Sequence, residues 1–470
     1  MLDTKILKKG DDIELCIESL AFGGMGIAYL NNMVIFVKNA IPGQKVNARI
    51  IKKRSSYLEA RTLNVILESQ YEIDVKCDHF HDCGGCTFQN LEYSKQTMFK
   101  EVQVKDIFNR IGGFKTIRCE PIVVCDEIFH YRNKMEFTFS NKEYVPEKEK
   151  DRTPKEFALG LHAPGRWDKI LNINSCHIQS KISNDILSII KEYSKSLEPY
   201  DIRLHKGFIR NVIIRVGVNT KQAMVNFVTS REDVQALSPL VKVLIKNFPS
   251  IASIVNNITS RKSGMSHGEK QVVLYGEEYL LERLGDYEYM VSADSFFQPN
   301  TKQAEKLYDI ILEESNLSGK EIVYDLFCGT GSISLHVSKY AKMVYGFELI
   351  MPAVQNAMQN AIRNKINNAW FFSGDLQNLF RENLEAKNLE LPDVIIVDPP
   401  RSGLHAKTID DILEKKSKRI VYVSCNPATQ ARDIRLLCEN GYELIKLRPV
   451  DMFPHTPHVE NVATLIKAEE

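Results

Sequence analysis

No apolar run in the chain approaches the ~20 residues that a membrane-spanning helix needs, which excludes an ordinary helical span. The opening residues Met1-Leu2-Asp3-Thr4-Lys5 lack a basic-then-apolar targeting pattern, so the expectation is a cytoplasmic protein. A net charge of +1 excludes a globally basic nucleic-acid binder; any grip on phosphates has to come from local patches. Internal repeats and low-complexity tracts are absent. The ten cysteines are mostly far apart, and only one cluster exists. In a large cytoplasmic chain such a cluster points to metal or catalysis and away from a disulfide framework.

The 470 residues allow two to four domains, and a hydrophobic fraction of 44% supports sizeable cores. Residues 1–62 read as a small β unit. Ile13 to Ile17 alternates apolar and polar, Val34-Ile35-Phe36-Val37 is a buried strand, and Gly23-Gly24-Met25-Gly26 and Ile41-Pro42-Gly43-Gln44 are turns. Between Lys45 and Arg61 stand six basic residues and one acid, Glu59. Such a strand suits single-stranded nucleic acid, or equally a charged edge that deters strand pairing.

The cysteine cluster is Cys77-Asp78-His79-Phe80-His81-Asp82-Cys83-Gly84-Gly85-Cys86. Thiolates bind soft metals, and paired glycines let backbone wrap closely. A zinc ribbon wants a second Cys-x-x-Cys, which the chain lacks. The fourth ligand could be Cys176, Cys119 or Cys125, or His79 or His81 in a zinc site, so the spacing leaves iron–sulfur and zinc open. Lys95 to Ile111 reads as an amphipathic helix, with Met98, Val102, Val104, Ile107, Phe108 and Ile111 near helical spacing and Gly112-Gly113 as its stop. Residues 115–285 mix short strands (Met135–Phe139, Phe157–Leu161, Val212–Val218, Ala223–Val228) with helices over Ser183–Ser196 and Val234–Asn247, an α+β pattern. Recurrent basic residues there suit phosphates or a solvated face equally.

The last third alternates strands and helices, which predicts a doubly wound, mostly parallel sheet. Strand Glu321–Leu326 runs into Phe327-Cys328-Gly329-Thr330-Gly331. Strand Val344–Phe347 ends in Glu348, and Val394–Val397 ends in Asp398-Pro399-Pro400-Arg401. A Gly-rich turn followed by an acid at the next strand end is an adenosine-binding arrangement. The turn lacks the third glycine of the dinucleotide fingerprint, which favours S-adenosylmethionine over NAD. Asp-Pro-Pro occurs in nucleobase methyltransferases, but amino-group methylation wants an aromatic residue next, to stack on a flipped base, and Arg401 stands there. Ile420–Val423 is a buried strand ending at Ser424-Cys425-Asn426-Pro427, where Cys425 is a candidate nucleophile. Carbon 5 of uracil is too weak a nucleophile to take a methyl group unaided. Thiolate addition at carbon 6 would activate it, and a base such as Glu460 would then remove the carbon-5 proton.

Five motifs in order resemble the set of the RNA uracil-5-methyltransferases: Ser-Phe-Phe-Gln at 295–298, Asp-Leu-Phe-Cys-Gly-Thr-Gly at 325–331, Asp-Pro-Pro-Arg-Ser-Gly-Leu at 398–404, Ser-Cys-Asn-Pro-Ala-Thr at 424–429 and Pro-His-Thr-Pro-His-Val-Glu at 454–460. Residues 1–62 resemble a TRAM domain, and Cys77, Cys83, Cys86 and Cys176 match the spacing of the family's iron–sulfur ligands. The resemblance implies a multi-domain fold: a TRAM or OB-like β-barrel over 1–62, a central α+β RNA-binding domain with a [4Fe-4S] cluster over 63–288, and an α/β, Rossmann-like S-adenosylmethionine-dependent methyltransferase domain over 289–470. It implies that Cys425 is the nucleophile and Glu460 the base. Gln298, Phe327, Glu348 and Asp398 would line the S-adenosylmethionine site, with Asp398 also facing the target base. The implied substrate is a flipped uridine of 23S rRNA, because TRAM and cysteine set together look like the ribosomal branch. A transfer RNA substrate, or a non-catalytic iron–sulfur RNA-binding factor, is the alternative; the paired Cys425 and Glu460 argue against the latter. No membrane and no obligatory protein partner are expected.

Overall fold

The computed structural model describes residues 7–262, 268–375 and 389–468; the opening residues read above for a targeting pattern lie outside them. Alternating burial along β1 (Asp12–Cys16), β3 (Gly26–Leu30), β4 (Met33–Lys38), β5 (Lys45–Lys53) and β6 (Tyr57–Leu67) puts one face of each strand inside. With β2 (Ser19–Leu20) they form a sheet of order β1-β5-β6-β4-β3-β2. β1 and β2 are nearly continuous in the chain yet lie on opposite edges, so the sheet closes as a barrel. The basic strand β5 pairs with β1 and β6 and is therefore no edge. Three of its cations have carboxylate partners: Lys45 with Glu14 at 2.7 Å, Arg49 with Asp12 at 2.7 Å and Lys52 with Glu59 at 2.5 Å.

Helix α1 (Tyr93–Ile107) follows, and Gly113 ends its last wide turn in the left-handed region at φ 78°. Part of the expected apolar face is buried, with Val104 and Phe108 at 0% exposure, but much of the buried surface is polar. Met98, Val102 and Ile111 are exposed, whereas Gln96, Thr97, Lys100 and Gln103 are buried. The reason is the partner surface, which is backbone carbonyls and a carboxylate. Lys100 Nζ lies 2.6 Å from Asp451 Oδ1 and donates to the Phe453 carbonyl at 3.1 Å. Gln96 accepts from the His455 backbone N–H at 2.9 Å, and Gln103 donates to the Leu20 carbonyl at 3.0 Å. The short strand β7 (Arg118–Cys119) then joins the edge of the catalytic sheet.

The central sheet contains β8 (Lys134–Ser140), β9 (Ala158–His162), β10 (Ile170–Asn172), β11 (Ile209–Val216), β12 (Ala223–Thr229), β13 (Ile251–Ile258) and β14 (Lys270–Gly276), in the order β10-β9-β8-β11-β12-β13-β14. Its Met135, Phe137, Val212, Ile214, Val225 and Phe227 face one core with helices α2 (Lys181–Tyr193) and α3 (Val234–Asn247). The opposite face carries polar side chains. A hairpin, β15 (Tyr279–Leu284) and β16 (Tyr287–Ser292), leads to α4 (Thr301–Ser315).

The catalytic sheet is built from β17 (Ile322–Leu326), α5 (Ser332–Ser338), β18 (Met343–Glu348), α6 (Met351–Arg363), β19 (Ala369–Ser373), β20 (Val394–Val397), α7 (Ala406–Lys415), β21 (Arg419–Ser424), α8 (Pro427–Glu439), β22 (Tyr442–Val450) and β23 (Glu460–Lys467). Its order is β19-β18-β17-β20-β21-β23-β22-β7. β19 to β21 run parallel, whereas β23 is antiparallel to both β21 and β22. Buried on both faces, the parallel strands read as continuous apolar runs. No helix among the described residues is long and apolar enough to cross a membrane.

Lys100 and Asp451 are at most 1% exposed. Removing one partner strands a buried charge, which costs ~3–5 kcal/mol. Lys100→Ala is expected to lower the urea midpoint accordingly, and Lys100→Met with Asp451→Leu to recover most of the loss; an unchanged midpoint in the single variant would mean that water reaches the pair.

Candidate active site

The parallel register aligns the strand ends. Leu326 pairs with Phe347 and with Val397, and Val397 with Tyr422. Phe327, Glu348, Asp398 and Cys425 therefore emerge at one edge of the sheet, its carboxyl end, where ligands of open α/β sheets bind. The antiparallel pairing of Ser424 with Asn461 brings Glu460 to the same edge, beside Cys425. Gln430 on α8 locks this register. Its amide donates to the Tyr422 carbonyl at 2.7 Å and the Asn461 carbonyl at 3.0 Å, and accepts from Asn461 Nδ2 at 2.8 Å.

The glycine turn is held open for a ligand. Phe327 takes a left-handed φ of 66°, unusual for a side chain of that size. A Cβ at Gly331 would meet Leu335 and Phe371 at 3.0 Å in a φ of +81°. Glu348 accepts from the backbone N–H of Gly329 at 3.1 Å and of Ile350 at 2.9 Å, which pins its carboxylate over the turn. Beneath it, burial pushes Asp325 up to about 7, and Ser334 donates to it at 2.5 Å. Gln298 is buried on the loop before α4. Its carbonyl accepts from Asn133 of the central unit at 2.9 Å, and Asn356 of α6 donates to Ser295 Oγ at 2.8 Å.

Around the thiol the electrostatics are mixed. Burial and the Glu460 carboxylate push Cys425 up to about 11, and the Arg401 guanidinium opposes them. Arg401 also donates to His458 Nδ1 at 2.9 Å. A guanidinium only donates, so His458 carries its proton on Nε2; burial and Arg401 hold its pKa at about 4. Asn426 Nδ2 donates to the Arg401 carbonyl at 2.9 Å, which fixes the 398–404 loop to the head of α8. Burial raises Asp398 to about 7 and drives Glu460 well above the carboxylate range, with the Asp398 charge adding to the shift. A carboxyl poised in this way suits a general base that works near neutral pH. Arg401 and His458 were not singled out from the sequence as site residues, although both stand inside quoted motifs. Gln430 carried no sequence signal beyond its helix.

The cysteine set forms a second centre. Cys77, Cys83, Cys86 and Cys176 line one small cavity with Phe80, Met135 and Ile178. Burial pushes the Cys83 and Cys86 thiols up to about 12 and raises Cys77 and Cys176 as well. Cys119 on β7 and Cys125, which receives a bond from Asn300 at 3.4 Å, lie elsewhere. No group of three or more His, Cys, Asp or Glu among the described residues is set to hold a metal ion. The backbone N–H groups of Thr87 and Phe88, just past this loop, donate to the His455 carbonyl at 2.8 and 3.0 Å, linking it to the segment that carries Glu460.

Residues 257–468 match the family profile tRNA (Uracil-5-)-methyltransferase, and residues 7–63 match the TRAM domain. An uncharacterized RNA methyltransferase of Chlorobaculum tepidum is 38% identical over 98% of this chain and 98% of its own length. One from Porphyromonas gingivalis is 39% identical over 97% of this chain and all of its own length. Among solved structures, the Pyrococcus abyssi tRNA (uracil-54, C5)-methyltransferase in complex with S-adenosyl-L-homocysteine superposes with a TM-score of 0.75. It shares 28% identity, with 97% of this chain and 100% of that chain covered.

An opposite charge near a thiol lowers its pKa by ~1–3 units, and each unit is tenfold in thiolate fraction well below the pKa. Arg401→Met is expected to slow iodoacetamide labelling of Cys425 at least about tenfold at pH 8, read by mass spectrometry of the Cys425 peptide. The signs agree: the guanidinium favours the charged thiolate, so its loss raises the pKa and the deficit narrows as pH rises. An unaltered rate would show that the guanidinium does not act on the thiol.

Proposed function

The chain belongs to the S-adenosylmethionine-dependent RNA uracil-5-methyltransferase family, and from that premise we propose that it methylates carbon 5 of uridine in 23S rRNA through a covalent Cys425 adduct. The observation that carries the chemistry is the β21–β23 register, which sets Cys425 beside Glu460 at the sheet edge that also bears Asp398. The Cys425 thiolate, steadied by Arg401, adds to uracil carbon 6, and the carbon 5–carbon 6 electron pair moves into an enolate. Carbon 5 takes the methyl group from S-adenosylmethionine, and S-adenosylhomocysteine leaves. The Glu460 carboxylate then removes the carbon-5 proton, the double bond re-forms and the thiolate departs. Phe327, Glu348 and Gln298 would hold the methyl donor, with Asp398 at the junction of donor and base. Glu348 over the glycine turn suits the ribose hydroxyls.

Cys77, Cys83, Cys86 and Cys176 would hold a [4Fe-4S] cluster. Four thiols around one cavity with apolar walls suit it. A cluster stands between its ligands and so spaces them more widely than a single ion does, consistent with the lack of a compact ion-binding group among the described residues. Its role here is to tie loop 77–86 to Cys176 beside the Glu460 segment. The ribosomal substrate rests on the combination of TRAM barrel and cysteine set. A transfer RNA substrate is the second reading, favoured by the match of the Pyrococcus abyssi tRNA (uracil-54, C5)-methyltransferase over 97% of this chain.

With 5-fluorouridine-substituted RNA the carbon-5 substituent cannot leave as a proton. A shifted band on a denaturing gel is expected with 23S rRNA transcripts and S-adenosylmethionine, and none with Cys425→Ala. A band with tRNA alone would transfer the substrate to the second reading, and no band with either, together with no methyl uptake by plain RNA, would sink the covalent route. Glu460→Gln should accumulate the adduct on ordinary RNA. Anaerobically purified protein should carry about four iron atoms per chain, lost in Cys176→Ser; stoichiometric zinc instead would overturn the cluster.

A further inference from the structure

The central sheet has a second face that the mechanism does not use. With Met135, Phe137, Val212 and Ile214 turned to the helices, the alternation of β-strands turns Lys134, Glu136, Thr138, Asn211 and Arg215 the other way. Cross-strand registers continue the row, from Thr138 to Asn211, then through Val228 to Asn257. Several atoms on this face are buried with no partner: Arg215 Nε and Nη1, Asn226 Oδ1, Asn257 Oδ1 and Ser253 Oγ. Met224 and Val255 of the same face pack against the β15–β16 hairpin and Phe297, so this stretch is interior, and the part of the face open to a ligand is its β8–β9 end.

At its β8–β9 end the face opens into a cleft of about 870 Å³. Thr138 and Asn211 form the floor, joined by a 3.0 Å hydrogen bond, and Thr138 is also bonded to His162 Nε2 at 3.1 Å. One wall is Tyr200, with the Arg210 guanidinium stacked on its ring at 4.3 Å. The rim carries Trp167, which is 66% exposed, with Arg203, paired to Asp168, beside it. Aromatic rings interleaved with cations in a concave site are what unpaired nucleotides need, since every base has a π-face to stack and every phosphate a charge to meet.

The position of the cleft connects it to the active site. The His162 carbonyl accepts from the Gly84 N–H at 3.1 Å, so the cleft abuts the cysteine loop. Along β8 the floor runs back from Thr138 to Lys134, ~13 Å at the usual rise of a strand. There Arg215 donates to the Ser295 carbonyl at 2.8 Å, on the loop that carries Gln298. Lys134 is held down to about 8 by burial and by Arg215, with Glu136 and Asp294 acting in the other direction.

We propose that this cleft is a second nucleotide site, in which an unpaired base of the substrate RNA stacks on Trp167 and its phosphates meet the cations that line the cleft. The inference rests on the reading of the chain as an enzyme that takes a flipped uridine from RNA. It makes the central unit the part that reads the neighbourhood of the target, a few nucleotides away.

The chain has only two tryptophans, Trp167 and Trp370. Trp370 is exposed on β19, away from the cleft. In the Trp370→Phe holoprotein, Trp167 is therefore the sole indole, and an oligoadenylate hexamer is expected to quench its fluorescence in a saturable, salt-sensitive way. With a fluorescein-labelled hexamer, Trp167→Ala should raise the Kd about 5- to 100-fold, as expected for the loss of one base–aromatic stack, and Trp167→Phe should restore most of the affinity. Absence of quenching in a protein that still methylates RNA would overturn the cleft and leave the proposed activity standing. Quenching in a protein that forms no adduct and transfers no methyl would do the reverse. Equal Kd values for Trp167→Ala and the parent would also overturn the proposal.

Discussion

The buried ion pair of Lys100 and Asp451 ties α1 to the segment that leads into Glu460. That segment, residues 451–459, joins two strands of the catalytic sheet but makes its bonds to parts of the chain far earlier. Tyr93 donates to the second Asp451 oxygen at 2.8 Å, Tyr131 to the Pro454 carbonyl at 3.0 Å, and Gln96 holds the His455 backbone. A loop with free ends would sample many positions for the base. Bound at this many points, it holds Glu460 in one place, and the desolvation cost of the ion pair is offset in part by the bonds that Tyr93 and the Phe453 backbone add to it.

Catalysis then depends on a register. Antiparallel β23 beside parallel β21 places a residue from the last strand at the same sheet edge as the residue that ends β21. A purely parallel sheet would send the start of that strand to the opposite edge. The reversal brings Cys425 and Glu460, from distant segments, to one sheet edge, and Gln430 bridges both strands just beneath them. The neighbouring carboxyls are raised by burial rather than by each other alone, so exclusion of water by bound RNA and methyl donor acts in the same direction as the apo environment.

The three units are not strung on linkers. β7 belongs by chain position to the region before the central sheet yet adds a strand to the catalytic sheet. The cysteine loop contacts the Glu460 segment on one side and the central cleft on the other. The four thiols of that loop and of Cys176 line one cavity between these two contacts.

The strand ends were legible in the residues themselves. A buried apolar run followed by Gly-x-Gly, by an acid or by Asp-Pro-Pro is a local pattern, fixed by backbone sterics and by the pleat, and the structure places Phe327, Glu348, Asp398 and Cys425 where those patterns stop. What only the tertiary structure decided involves partners remote in the chain. Periodicity assigned α1 an apolar face, and Val104 and Phe108 of it are buried, but carbonyls and a carboxylate also face the helix, so Gln96, Lys100 and Gln103 are buried as well. Charge composition could not distinguish an edge strand from an interior one in the barrel, because the ion partners Asp12, Glu14 and Glu59 are set by strand pairing. The gathering of Cys176 with the 77–86 loop around one cavity, the bond from Arg401 to His458 and the polar residues of the central sheet's second face follow from long-range packing. Side-chain spacing in one segment carries no information about which distant backbone will meet it.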